Sequence, residues 1–156
     1  MPSRRDLIRM TPEELQTFLY ERHTMNVATI GPSGHPHVHA MWYGFVEGKP
    51  AFWTFGKSQK IVNLRRDPKV TALVEDGETY NELRGAELFG TGRIVEDKDE
   101  IVAIGAAVAE RYTGPVTDQG LAFIEAQAGK RLGVVIEVER VVSWDHRKLM
   151  LPERGR

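Results

Sequence analysis

Two turns too short to carry a crossover constrain what this chain can fold into. Gly31-Pro32-Ser33-Gly34 separates a strand-like run at Met25–Ile30 from a longer one at His37–Val46. Glu47-Gly48-Lys49-Pro50 separates that run from Ala51–Phe55. A parallel pair needs a connection of about a dozen residues or more. Gly-, Pro- and Ser-rich turns reverse the chain at once. The three runs therefore read as an antiparallel meander, and parallel βαβ winding is disfavoured.

The rest of the chain supplies three more strands and four short helices. Thr11-Pro12-Glu13-Glu14 starts a helix with Thr as N-cap, Pro at the first helical position and a glutamate closing a capping box. That helix carries Leu15, Phe18 and Leu19 on one face and ends near His23. A short helix follows Phe55 and stops at Asp67-Pro68, before a fourth strand at Val70–Glu75. Leu83–Val95 is the fifth strand, and Gly85, Gly90 and Gly92 within it predict a bulge or close backbone approach. Asp97–Tyr112 is helical with Ile101, Ile104 and Val108 buried, Gly114-Pro115 breaks it, and Gly120–Gln127 is a further helix. Arg131–Val142 alternates as the last strand. Six antiparallel strands with short helices predict a mainly β fold, a small closed or split barrel.

Composition narrows the function classes. A chain of 156 residues with 41% hydrophobic and 28% charged residues suits one globular domain over 1–156, with 1–10 and 151–156 as loose tails. A net charge of −1 gives no global field toward nucleic acid or membrane. The absence of cysteine excludes disulfides, thiolate metal sites and cysteine nucleophiles, and fits the cytoplasm. The start Met1-Pro2-Ser3-Arg4 leads into no apolar leader, and no run is long enough to span a membrane.

Three clusters carry chemistry. Lys57, Ser58 and Lys60 fall at the turn and first positions of the short helix. There, unpaired backbone N–H groups and a partial positive charge favour a phosphate. The same residues also suit an ordinary solvated helix start. His35, His37 and His39 share one face of an extended segment and suit a metal, a haem, or the wall of a polar cleft. Met41, Trp42 and Tyr43 follow directly, large side chains able to edge a planar ring, or to fill a core or an interface. A ring site beside a phosphate site describes a phosphorylated planar cofactor such as a flavin. No Walker loop and no Ser/His/Asp arrangement is present, and Gly90-Thr91-Gly92-Arg93 sits mid-strand, unlike a dinucleotide fingerprint.

The run from Gly31-Pro32-Ser33-Gly34 through Met41-Trp42-Tyr43, Phe52-Trp53-Thr54 and Lys57-Ser58-Gln59-Lys60 to Asn63-Leu64-Arg65-Arg66-Asp67-Pro68-Lys69-Val70 resembles the pyridoxamine 5'-phosphate oxidase-like split-barrel superfamily. It is most similar to the flavin/deazaflavin oxidoreductases, the branch whose actinobacterial members often use coenzyme F-420. The resemblance spans Thr11 to Leu149 and includes Ser143-Trp144-Asp145-His146-Arg147-Lys148. It implies a six-stranded split β-barrel, usually homodimeric, with two shared cofactor sites. It implies that Lys57, Ser58 and Lys60 hold the cofactor phosphate. Met41, Trp42 and Tyr43 would line the ring, and Trp53 and Thr54 would edge the ribityl chain. Trp144 and residues near Glu82 to Gly85 would reach in from a partner subunit. Arg65, Arg66 and Lys69 would suit an acidic oligoglutamate tail, and Tyr43, His37 and His39 are candidate proton donors. The implied activity is hydride transfer between reduced F-420 and an unsaturated small organic substrate. The alternatives are an FMN-dependent oxidase or reductase, or a non-catalytic flavin, deazaflavin or haem binder. The chain lacks the arginine-histidine substrate-phosphate motif of the vitamin B6 oxidases, so that reaction is not implied. His35, His37 and His39 map onto no family role.

Overall fold

One residue, Tyr43, divides the predicted second strand in two. The computed structural model describes residues 1–149; the expected tail at 151–156 lies outside them. Within that range the elements are α1 (Arg4–Ile8), α2 (Pro12–Glu21), β1 (Thr24–Ile30), β2 (Pro36–Trp42), β3 (Gly44–Val46), β4 (Lys49–Phe55), α3 (Gln59–Arg66), β5 (Lys69–Asp76), β6 (Arg84–Val95), α4 (Lys98–Thr113), α5 (Asp118–Ala128) and β7 (Arg131–Asp145). Seven strands therefore replace the expected six. The chain kinks where Tyr43 turns into the core with no exposed surface and its hydroxyl donates to the Leu19 carbonyl at 2.6 Å. The next residue, Gly44, passes so close to α4 that a Cβ would sit 2.9 Å from the Ala107 backbone.

The strand order is β2-β1-β5-β6-β7-β4-β3, all antiparallel. The expected three-stranded meander is thus corrected: β1–β2 and β3–β4 are hairpins at opposite edges of the sheet. Those edges, β2 and β3, are consecutive in the chain with Tyr43 alone between them. The sheet must curl until its edges meet at that corner, which makes it a split barrel.

Two helices close the mouths. Phe18 and Leu19 of α2 enter one end of the barrel core, and Ile61 and Leu64 of α3 enter the other. Between them lie Met25, Val27, Phe52, Ala72, Leu88, Val134 and Ile136. A second apolar cluster forms on the outer face of the sheet, where α4 packs Ile101, Ile104 and Val108 against Ala51 and Val135. This second layer is why residues 133–136 of β7 are buried on both faces. The register shift between Phe89 and Gly90 supplies the bulge expected from the glycines of β6.

The N-terminal segment is not the expected loose tail. Ser3 and Asp6 form a capping box on α1, and Met10 is buried with its N–H donating to Ser143 Oγ at 3.1 Å. Arg111 of α4 fastens α2 to the barrel. Its guanidinium donates to the carbonyls of Leu19, Tyr20 and Arg22 at the α2 C-terminus and to that of Tyr43. The three at the end of α2 are orphan acceptors that the helix cannot satisfy itself. Among the described residues, no helix is long and apolar enough to cross a membrane.

Candidate functional site: a split seam and an apolar cavity

The barrel closes at Tyr43 and opens away from it. β3 covers β4 only as far as the Gly44–Ala51 pair, so Phe52–Phe55 run on with one free edge. β2 pairs with β1 along its whole length and leaves its other edge free. Between these two edges lies a seam that leads to the α3 mouth. Register sets what faces it. His37 and His39 stand opposite Thr29 and Val27, which point into the barrel, so both imidazoles lie on the inner side. They stack with ring centroids 4.5 Å apart, and His37 Nδ1 is buried without a hydrogen-bond partner among the described residues. Thr54, also buried, donates from Oγ1 to Ser58 Oγ at 3.4 Å.

The start of α3 differs from every other α-helix start among the described residues. Ser3, Thr11, Asp97 and Thr117 each cap their helix with a side-chain oxygen, and each of those helices carries an acidic residue in its first turn. Ser58 makes no capping bond, and the first turn of α3 has no acid. It has Lys60 instead, only 6% exposed. Burial holds the Lys60 ammonium below its ordinary pKa, and no carboxylate pairs with it among the described residues. A buried cation at the positive end of a helix is unfavourable on two counts. His39 is drawn below its usual pKa by burial, by Lys60 and by His37, which places it close to that ammonium. The seam thus gathers Lys60, two imidazoles and uncapped N–H groups, with Lys57 exposed at the turn. Every one of these favours an anion.

The predicted ring residues divide between two sides of the sheet. Met41 lies on the inner side, partly buried against the barrel core. Tyr43 offers no surface to a ligand from this chain, and burial pushes its hydroxyl pKa up to about 12. Trp42 and Trp53 face outward, toward α4 and α5. Trp42 stacks on Tyr112 with centroids 4.0 Å apart, and Trp53 lies so close to Gly105 that a Cβ there would meet its ring at 2.7 Å. Together they wall a half-open cavity of about 420 Å³ whose other sides are α4, α5 and the connection between them. Tyr112, Gly105 and Phe123 were not among the sequence candidates. The spacing of Gly105, Val108, Ala109 and Tyr112 on one helical face is the signal that marks this wall.

Other candidates lie elsewhere. Trp144 pairs with Gly85 and its indole covers that glycine, where a Cβ would sit 2.1 Å from the ring. This is the α2 end of β6, whereas Gly92 at the other end meets Leu64 of α3. Within one chain Trp144 and Glu82 to Gly85 do not join the seam. Arg65 is paired with Glu96 at 2.9 Å, and Arg66 donates to the Ile30 carbonyl. His35 is exposed in the turn before β2. No cluster of three or more His, Asp or Glu side chains able to hold a metal occurs among the described residues.

The solved structures that resemble this fold differ in what they are reported to do. The conserved hypothetical protein Rv2991 from Mycobacterium tuberculosis is 45% identical, with a TM-score of 0.91 over 99% of this chain and 97% of its own. An F-420 reductase is 27% identical, with a TM-score of 0.66 over 84% of this chain and 98% of its own. The haem storage protein HutZ from Vibrio cholerae, at 19% identity and a TM-score of 0.66 over 87% of this chain and 96% of its own, shares the fold. None of the curated proteins compared matches. The pyridoxamine 5'-phosphate oxidase family model matches residues 11–145, from the capped start of α2 to the end of β7. With the curled antiparallel sheet and its open seam, that match means the chain belongs to the pyridoxamine 5'-phosphate oxidase family of split-barrel proteins.

Proposed function

We propose that the seam binds the phosphate of coenzyme F-420 and that the protein is an oxidoreductase. Hydride would pass between the reduced cofactor and an unsaturated small organic substrate. The observation that carries this reading is Lys60, a buried ammonium without a counter-ion among the described residues, at an uncapped helix start. An anion there replaces the missing first-turn acid and relieves the buried charge.

The residues present fit such a group. Lys60, Ser58 and Lys57 would hold the phosphate, with Thr54 orienting the Ser58 hydroxyl. Met41, on the seam side of β2, would flank the ring, whereas Trp42 and Trp53, expected beside it, face the opposite side of the sheet. When bound, the deazaflavin supplies two-electron hydride chemistry, and the protein supplies orientation, water exclusion and electrostatics. His39, whose pKa is lowered by desolvation, by Lys60 and by His37, stands in the seam where its ring nitrogen could hold or move a proton. Tyr43 cannot serve as a proton donor from this position, since it has no exposed surface. The choice of F-420 over FMN draws on the reductase that shares 27% identity. Trp144 and Glu82 to Gly85 would complete the site from a second copy, as a homodimer.

A second reading is a haem-binding role, favoured by the unpartnered His37 Nδ1. His37 and His39 stack on one face, so at most one of them could ligate a given iron. A side-by-side fluorescence titration with F-420, FMN and FAD, and an absorbance titration with haemin, separates the readings. Selective F-420 binding supports the proposal. An FMN preference moves the protein to flavin chemistry, and a Soret band lost in His37→Ala supports haem.

A further inference from the structure

The cavity on the outer face is a second ligand site. We infer that it takes a neutral, planar aromatic molecule, and on the reading above this is the substrate or its apolar part. Only that last clause rests on the proposed activity.

The cavity volume, about 420 Å³, lies within the range of sites that enclose small organic ligands. None of its lining residues is charged. An ionised ligand would lose its hydration there and gain no charged partner among the lining residues; the nearby Arg131 guanidinium, 4.7 Å from the centroid of the Trp53 ring, is not part of the lining. The walls are flat. The Trp42–Tyr112 stack is nearly parallel, with an interplanar angle of 15°, and Trp53 lies against α4 at Gly105. With centroids 4.0 Å apart the two rings cover one another and leave no gap between them, so an aromatic guest would lie against the outside of this pair, by an edge or an outer face, and gain stacking as well as burial. Phe123 of α5 stands at the cavity with 65% exposure, and Trp42 with 58%. Two such large exposed rings beside one concave surface mark a binding site.

Position ties the cavity to the seam. Trp53 is adjacent in β4 to Thr54, whose side chain faces the seam, and Trp42 lies in β2 three residues after His39. The two strands that border the anion site on one side of the sheet thus border the cavity on the other. The seam is cationic and suits a phosphate, whereas the cavity is uncharged and suits the other reactant. One site cannot substitute for the other.

The probe is N-phenyl-1-naphthylamine, neutral and fluorescent only out of water. It should bind one site per chain, with blue-shifted emission and quenching of tryptophan fluorescence. The anionic analogue 8-anilinonaphthalene-1-sulfonate should bind at least tenfold more weakly. Ala109→Phe fills the cavity from α4 and should weaken probe binding at least tenfold while leaving the F-420 or phosphate titration within twofold. Phe123→Ala removes an exposed wall without disturbing the core and should weaken the probe about fivefold. Equal binding of the anionic probe, or unchanged probe affinity in Phe123→Ala and in folded Ala109→Phe, would overturn the inference. Probe binding without any cofactor binding would leave it standing and sink the proposed activity. Cofactor binding without probe binding would do the reverse.

Discussion

Lys60→Met should make the protein more stable and less able to bind anions. Methionine matches the length of the lysine stem and removes the charge. Lys60 is 6% exposed, has no ionic partner among the described residues and sits at the positive end of α3. An unpaired buried ion costs several kcal/mol after relaxation. With the residual exposure, a gain of about 1–2 kcal/mol is expected, from the low end of that range. For a chain of this length that raises Tm by roughly 2–8 °C. The same change removes a charge-assisted bond to the ligand of about 1.5–3 kcal/mol, which weakens affinity by about 10- to 150-fold. Thermal unfolding with and without inorganic phosphate, followed by the F-420 titration, reads both effects. The sign of the pH dependence follows from the lowered pKa. Between the folded-state pKa and the ordinary lysine value of 10.5, the unfolded chain binds more protons, so stability rises with pH. The penalty is fully present below the folded pKa and fades toward pH 10.5, so the advantage of the methionine variant should shrink in alkaline buffer. A lower Tm with unchanged anion affinity would show Lys60 to be an ordinary core residue and refute the reasoning.

Two structural predictions test the frame that positions the seam. Arg111→Ala strips the cation from four carbonyls, of which those of Leu19 and Arg22 keep the Tyr43 hydroxyl as donor and those of Tyr20 and Tyr43 lose theirs; with about 1–3 kcal/mol for each group left unmet and some regained by water, urea denaturation should show a loss of about 3 kcal/mol. Arg111→Lys should recover only part of it, because an ammonium lacks the planar fork; full recovery would argue against the bridging role. Gly90→Ala places a Cβ 2.0 Å from the Glu137 carbonyl oxygen at the β6–β7 bulge, and thermal melts should show a loss of about 3 kcal/mol, the upper end for overpacking. An unaffected melting temperature would mean the bulge yields freely.

What the sequence disclosed and what it withheld follow from the range of the interactions. The capping box at Thr11 and Glu14, the stop at Asp67-Pro68 and the bulge near Gly90 depend on neighbouring residues, and the structure has each of them. The antiparallel hairpins were equally legible, because a four-residue turn decides pairing. Where the hairpins sit in the sheet was not, since β1 joins β5 and β4 joins β7 across long stretches of chain. The break at Tyr43 has the same origin. Its hydroxyl is held by carbonyls at Leu19 and Arg22, and its own carbonyl by Arg111, contacts no local pattern encodes. That break decides which candidates share a site. It closes the barrel beside Trp42, so Trp42 and Trp53 face the α4 side while His39, Thr54 and Lys60 keep the seam. Lys57-Ser58-Gln59-Lys60 read equally as a phosphate site and as a solvated helix start, and the burial of Lys60 was not legible, because an exposed lysine at a helix start reads the same in one dimension. The buried charge is what distinguishes a site from a surface: a solvated lysine needs no ligand, whereas this one is stabilised by acquiring one.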